Sequence, residues 1–144
     1  MTPTPGDALA DPRALVGRWS LHRTIDDRRG DLGGVVEGVL ELTEVGPDRL
    51  GWEEQATWRR PGVEVAVRRG LRLERREEGW WVLFADGRDF HPWVPGEPVV
   101  HDCRPDTYRG LVTGSPEDWS VRWEVTGPAK DYLMRTRLRP ASPG

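Results

Sequence analysis

Cysteine is almost missing from this chain of 144 residues: Cys103 is alone, so no intramolecular disulfide can form. No run approaches the roughly 20 consecutive apolar residues that a membrane-spanning helix needs. Neither charge sign dominates, since 21 basic and 24 acidic residues are mixed throughout and leave a net charge of -3. That balance gives no block of positive potential for nucleic acid or anionic lipid. The opening Met-Thr-Pro-Thr-Pro-Gly-Asp lacks the basic start and apolar run of a secretory leader. These absences lead to the expectation of a soluble cytoplasmic protein, monomer or homodimer, with no nucleic-acid or membrane partner. Phenylalanine and tyrosine are scarce, two each, against eight tryptophans. Tryptophan must therefore supply the aromatic mass of the core, the wall of a cavity, or both.

The length suits one domain with one core. Residues 1–10 and 140–144 are rich in Pro, Thr, Ser, Gly and Asp and are expected to be loose, leaving a single domain over 11–139. Between them, short β-type segments alternate with turn signals such as Gly46-Pro47-Asp48, Pro61-Gly62 and Gly127-Pro128. The expected strands are 17–25, 35–44, 49–59, 63–76, 80–85, 98–113 with a break, 118–126 and 130–139, and residues 8–16 offer a short helical turn. Eight short strands joined in order predict an all-β fold, an antiparallel up-and-down barrel. Arg68-Arg69-Gly70 interrupts the alternation of the fourth segment and leaves its register open.

Alternation assigns faces. Trp119, Val121, Trp123 and Val125 share one side of their strand, and Tyr132, Met134, Thr136 and Leu138 share another with Lys130. Arg23 falls on the face of Trp19, Leu21 and Ile25; Glu54 falls on that of Leu50, Trp52, Ala56 and Trp58. A buried isolated charge is costly, so Arg23 and Glu54 either form a structural ion pair or border a wet, ligand-holding interior. His22 alternates away from Trp19 and Leu21 and faces solvent.

The start Leu15-Val16-Gly17-Arg18-Trp19 resembles the first strand of the calycins, the lipocalin and fatty-acid-binding group. In that resemblance the tryptophan closes one barrel end and a late arginine, here Arg137 or Arg139, stacks over it. A longer set is similar to domain of unknown function 6314: Gly17-x-Trp19, Arg23, Gly38, Asp86-Gly-Arg88, Phe90-His91, His101-x-Cys103, Asp106-x-Tyr108, Trp123 and Gly127-Pro128-x-Lys130-Asp131-Tyr132. The resemblance covers nearly the whole chain and implies a calycin-like barrel with no agreed activity.

The densest chemistry lies from Asp86 to Tyr108. His101 and Cys103 share a strand face, Asp106 and Tyr108 share another after Pro105, and the 93–98 loop can fold His91 towards His101. His91, His101, Cys103 and Asp106 are zinc-type ligands, yet Cys-x-x-Cys and His-Glu-x-x-His spacings are absent. Haem on one histidine is a further alternative. As acid/base groups, His101 or His91 would accept a proton while Tyr108, Lys130 or Tyr132 stabilises negative charge. Lys130 would condense with carbonyls only if burial lowered its pKa. A lone strand cysteine is ordinarily a small buried hydrophobe, and Arg88 either reaches a ligand carboxylate or pairs with Asp86 or Asp106.

The leading expectation is a binding protein for a small, partly apolar organic molecule, with no resident cofactor or metal. Trp52, Trp58, Trp119 and Trp123 would form aromatic walls, and Arg23, Glu54, Arg88, His91, His101, Cys103, Asp106, Tyr108, Lys130 and Tyr132 would orient the ligand. The alternatives are a small cofactor-independent isomerase, cyclase or hydrolase using His101, His91, Tyr108 and Lys130, and a haem- or metal-binding barrel.

Overall fold

The computed structural model describes residues 7–30 and 32–141. The expectations for residues 1–6 and 142–144 lie outside the described residues. Two 3-10 turns, Asp7–Leu9 and Pro12–Leu15, lead into ten strands: β1 (Gly17–Asp27), β2 (Gly34–Gly46), β3 (Arg49–Arg60), β4 (Val63–Arg76), β5 (Gly79–Phe84), β6 (Asp89–Pro92), β7 (Val99–Cys103), β8 (Asp106–Ser115), β9 (Asp118–Thr126) and β10 (Asp131–Pro140). They form one antiparallel sheet in the order β6-β5-β4-β3-β2-β1-β10-β9-β8-β7, curled into a nearly closed barrel.

The all-β barrel is as the alternation implies, with ten strands rather than about eight. The segment 98–113 is a hairpin, β7 and β8, turning at Arg104-Pro105. The four residues of β6 are too short for a period-2 pattern to register. Arg68-Arg69-Gly70 does not break β4, which pairs with β3 without a shift from Arg49↔Glu74 to Arg60↔Val63.

One half of the barrel is filled. Trp119 has no exposed surface and meets Trp19, Trp52 and Trp93 edge-on at 5.6, 5.8 and 6.2 Å, a geometry that suits the ring quadrupoles. The N-terminal turns plug that end. Leu9 and Leu15 are fully buried, and their carbonyls accept from Trp93 Nε1 and Trp19 Nε1, each at 2.8 Å. The part of the N-terminal segment around Leu9, expected to be loose, thus belongs to the core. At the other terminus Pro140 still pairs opposite Trp19 in β10, and Ala141 N donates to Arg18 O. Arg137 and Arg139 do not stack on Trp19. Leu138 takes the inward position, so its neighbours point outward and reach Asp118 at 2.7 and 3.7 Å.

The backbone ladder stops once, between β6 and β7. Here side chains close the barrel. Phe90 stacks on Trp123 with centroids 4.9 Å apart and on Phe84 at 4.5 Å, while His101 of β7 meets Phe90 edge-on at 5.2 Å. Gly110 makes room, since a Cβ there would lie 2.6 Å from the Trp123 ring.

Candidate functional site

The opposite half of the barrel holds a cavity of about 320 Å³. Its walls are Ile25, Leu32, Val36, Ala56, Trp58, Val67 and Met134, with Tyr132 on one side, and its polar floor is Arg23, Glu54 and Arg69. Leu32 comes from the β1–β2 loop, which Asp27 holds by accepting from Leu32 N at 2.7 Å.

Strand register builds the floor. Arg23 stands opposite Thr136 and Glu54 stands opposite Arg69. Arg23 Nε donates to Thr136 Oγ1 at 2.7 Å and Nη2 donates to both Glu54 oxygens at 3.0 and 3.2 Å. Trp52 Nε1 and Arg69 Nη2 donate to Glu54 Oε2 at 2.9 and 3.1 Å. Burial pushes the Glu54 carboxyl up, but Arg69, Arg23 and Trp52 outweigh it and hold the group below its ordinary value. Burial also pulls Arg23 below the usual guanidinium value, against the pull of Glu54. Both groups stay charged at neutral pH.

Next to the cavity, at the rim, lies a second polar cluster. Tyr108 and Tyr132 flank the buried Val125 of β9 in register. Lys130 Nζ is 3.0 Å from Asp106 and donates to Tyr108 Oη at 3.3 Å. Gly127 permits this pair, because a Cβ there would lie 2.1 Å from Asp106 Oδ1. Asp106, then Tyr108, raise the Lys130 pKa, the opposite of what amine condensation requires. Burial, then Tyr108, push the Tyr132 phenol up to about 12.

The histidines meet at the seam, not in the cavity. His91 is buried against Phe90 at 4.7 Å and Trp123 at 5.1 Å, and His101 is 6.2 Å from Tyr108 between ring centroids. Burial drops the His91 pKa to about 4, so its ring is neutral. Its Nδ1 lies 2.8 Å from Pro92 O; a carbonyl only accepts, so Nδ1 carries the proton. The 93–98 loop is a pinned connection: Trp93 N donates to Trp80 O and Gly96 N donates to Val112 O.

Of the four tryptophans expected as walls, only Trp58 lines the cavity. Trp52 and Trp119 fill the core, because inward positions at the plugged end of a strand meet other side chains rather than space, and Trp123 closes the seam. Cys103 is exposed, not buried, because β7 ends there at the hairpin tip. Arg88 pairs outside with Asp86 at 2.8 Å, and His22 is exposed beside Glu37. Among the described residues no group of three or more His, Cys, Asp or Glu side chains converges. Sequence reasoning missed Arg69. The signal was its phase, since Val65, Val67, Arg69, Leu71 and Leu73 are alternate residues of one strand.

A wider depression of about 530 Å³ lies against β3–β5, where Gly51 and Gly70 lack side chains between Glu53, Arg72 and Glu74. Its lining mixes charged side chains such as Arg49, Arg72 and Arg76 with apolar ones such as Val45 and Leu83.

An antiparallel meander plugged at one end and hollow at the other defines the class, an up-and-down β-barrel. Within it, residues 15–140 match the family described as a family of unknown function, DUF6314, and the chain belongs to that family. No curated protein matches. The fold is similar to the S-type phycobiliprotein lyase CPES from Guillardia theta (TM-score 0.61, 12% identity, 91% of each chain). It is also similar to a redesigned β-barrel, mFAP0, bound to DFHBI (TM-score 0.51, 14% identity, 88% of this chain and 98% of that one).

Proposed function

We propose that this protein binds a small, partly apolar organic molecule in the cavity between Trp58, Val67 and Met134. The observation that carries the reading is the cavity itself: seven apolar walls over an Arg23–Glu54–Arg69 floor whose acid is buried. Apolar walls with a few convergent polar groups are the usual make-up of ligand sites, and about 320 Å³ falls at the small end of their range. The redesigned barrel holding DFHBI supports it by showing that this architecture can enclose one small molecule. Binding is favoured over acid/base catalysis because neither His91 nor His101 lines the cavity.

Native mass spectrometry of protein isolated from its own host is the direct test. The expected result is a retained small molecule, lost on mild denaturation. Emission should change when host extract is added, and Trp58→Phe should remove that change. A bare mass together with an emission spectrum that no extract alters would overturn the reading.

A further inference from the structure

The floor of the cavity is unbalanced. Glu54 accepts four contacts, one from Trp52, two from Arg23 and one from Arg69, which uses the roughly four lone-pair sites of a carboxylate. It has nothing left to offer a ligand. Each guanidinium, in contrast, carries five donor hydrogens in a fixed fork. Arg23 uses Nε and Nη2, and Arg69 uses Nη2, while Arg69 Nε is buried with no partner among the described residues. Two cations thus share one anion, and Arg68 adds a third cation to the lining, whereas Glu54 is the only carboxylate in it among the described residues. Tyr132 is kept protonated at neutral pH and adds no negative charge to the lining.

Unspent donors and uncompensated positive charge beneath apolar walls select for one chemistry. Resting on the cavity reading above, we propose that the ligand is an organic anion: an apolar body under the Leu32 loop and a carboxylate or equivalent acidic head on Arg69 and Arg23. A head of this kind forms charge-assisted, fork-matched hydrogen bonds. It also relieves the desolvation cost of a buried surplus cation. A neutral amide gains only part of this, and an ammonium ion is repelled.

The test is calorimetric titration with three matched probes: 2-naphthoate, 2-naphthamide and 2-naphthylmethylammonium. Naphthoate should bind at least about tenfold more tightly than the amide, weaken as salt is raised, and exceed the ammonium by a wider margin. Arg69 is partly exposed, so Arg69→Gln should fold. It should shrink the naphthoate preference to within about twofold, chiefly by weakening naphthoate, and Arg69→Lys, which keeps the charge but not the fork, should restore part of it. Equal binding of naphthoate and amide, or preference for the ammonium, overturns the anion assignment and leaves the cavity reading intact. Failure of all three probes to bind overturns both.

Discussion

Glu54 and Arg69 face each other directly across β3 and β4, with Arg69 Nη2 donating to Glu54 Oε2 at 3.1 Å inside the barrel. The contact ties a residue that looks like a flaw in the β4 pattern to the only acid that lines the cavity among the described residues. Among those residues it also makes that acid the shared counter-charge of two guanidiniums.

Removing the charge therefore strands both cations. Glu54→Gln should lower unfolding free energy by about 3 kcal/mol, the usual cost of breaking one side of a buried ion pair. Chemical denaturation measures it, and a loss below about 1 kcal/mol would show that Arg23 and Arg69 find water instead.

Acid should loosen the seam through His91. Its folded pKa of about 4 lies below the unfolded value of 6.5. Above pH 6.5 the ring is neutral in both states and stability is complete. As pH falls from 6.5 towards 4 the unfolded chain takes the proton first, and about 3 kcal/mol is lost. His91→Asn keeps a donor for the Pro92 carbonyl but cannot titrate. Its denaturation midpoint should fall less steeply with acid, and identical slopes would remove His91 from the account.

Gly110→Ala should cost about 1–3 kcal/mol by driving a methyl group into the Trp123 ring. Because Trp123 is stacked on Phe90, near-ultraviolet circular dichroism should lose amplitude in step with stability. An unchanged spectrum would mean that the stack absorbs the methyl group.

Filling the cavity should abolish its use. Val67→Trp places bulk among Trp58, Met134 and Ala56, so ligand affinity should fall by more than about tenfold while the melting transition stays cooperative. Retained affinity would place the ligand elsewhere.

Lys130 is the chain's only lysine, so a single peptide reports labelling of a side-chain amine. Asp106 and Tyr108 favour its protonated form, and a protonated amine is not a nucleophile. Reaction with an acylating ester near neutral pH should be slow and should accelerate in Asp106→Asn. Equal rates, followed by peptide mass, would show that the Asp106 contact does not govern the amine.

The barrel and its inward faces were legible because period-2 alternation survives in every long strand: Arg23, Glu54, Trp58 and Tyr132 all reach the cavity that alternation implied. What alternation cannot supply is height along the barrel axis. Trp52 and Trp58 share a face six residues apart, yet one packs in the core and the other lines open space. The histidines were misplaced for a related reason. Their spacing brings them together, but which strands border the gap in the ladder depends on where pairing ends, and β6 carries only four residues to announce it. Arg69 was readable as inward by phase alone and was obscured by the charged neighbour and the glycine beside it.

The position of the gap also sets how the chain is threaded. Read around the sheet from β7, the strands run β7, β8, β9, β10, β1 and onward to β6, a simple meander cut in the middle of its numbering. The first strand therefore lacks one of its two neighbours until a segment more than a hundred residues later joins it, as Arg23 and Thr136, 113 positions apart, illustrate. Joining these distant segments carries the loop-closure entropy of nearly the whole polypeptide. That long-range stitch joins the two halves of the sheet whose outer edges then meet across Phe90.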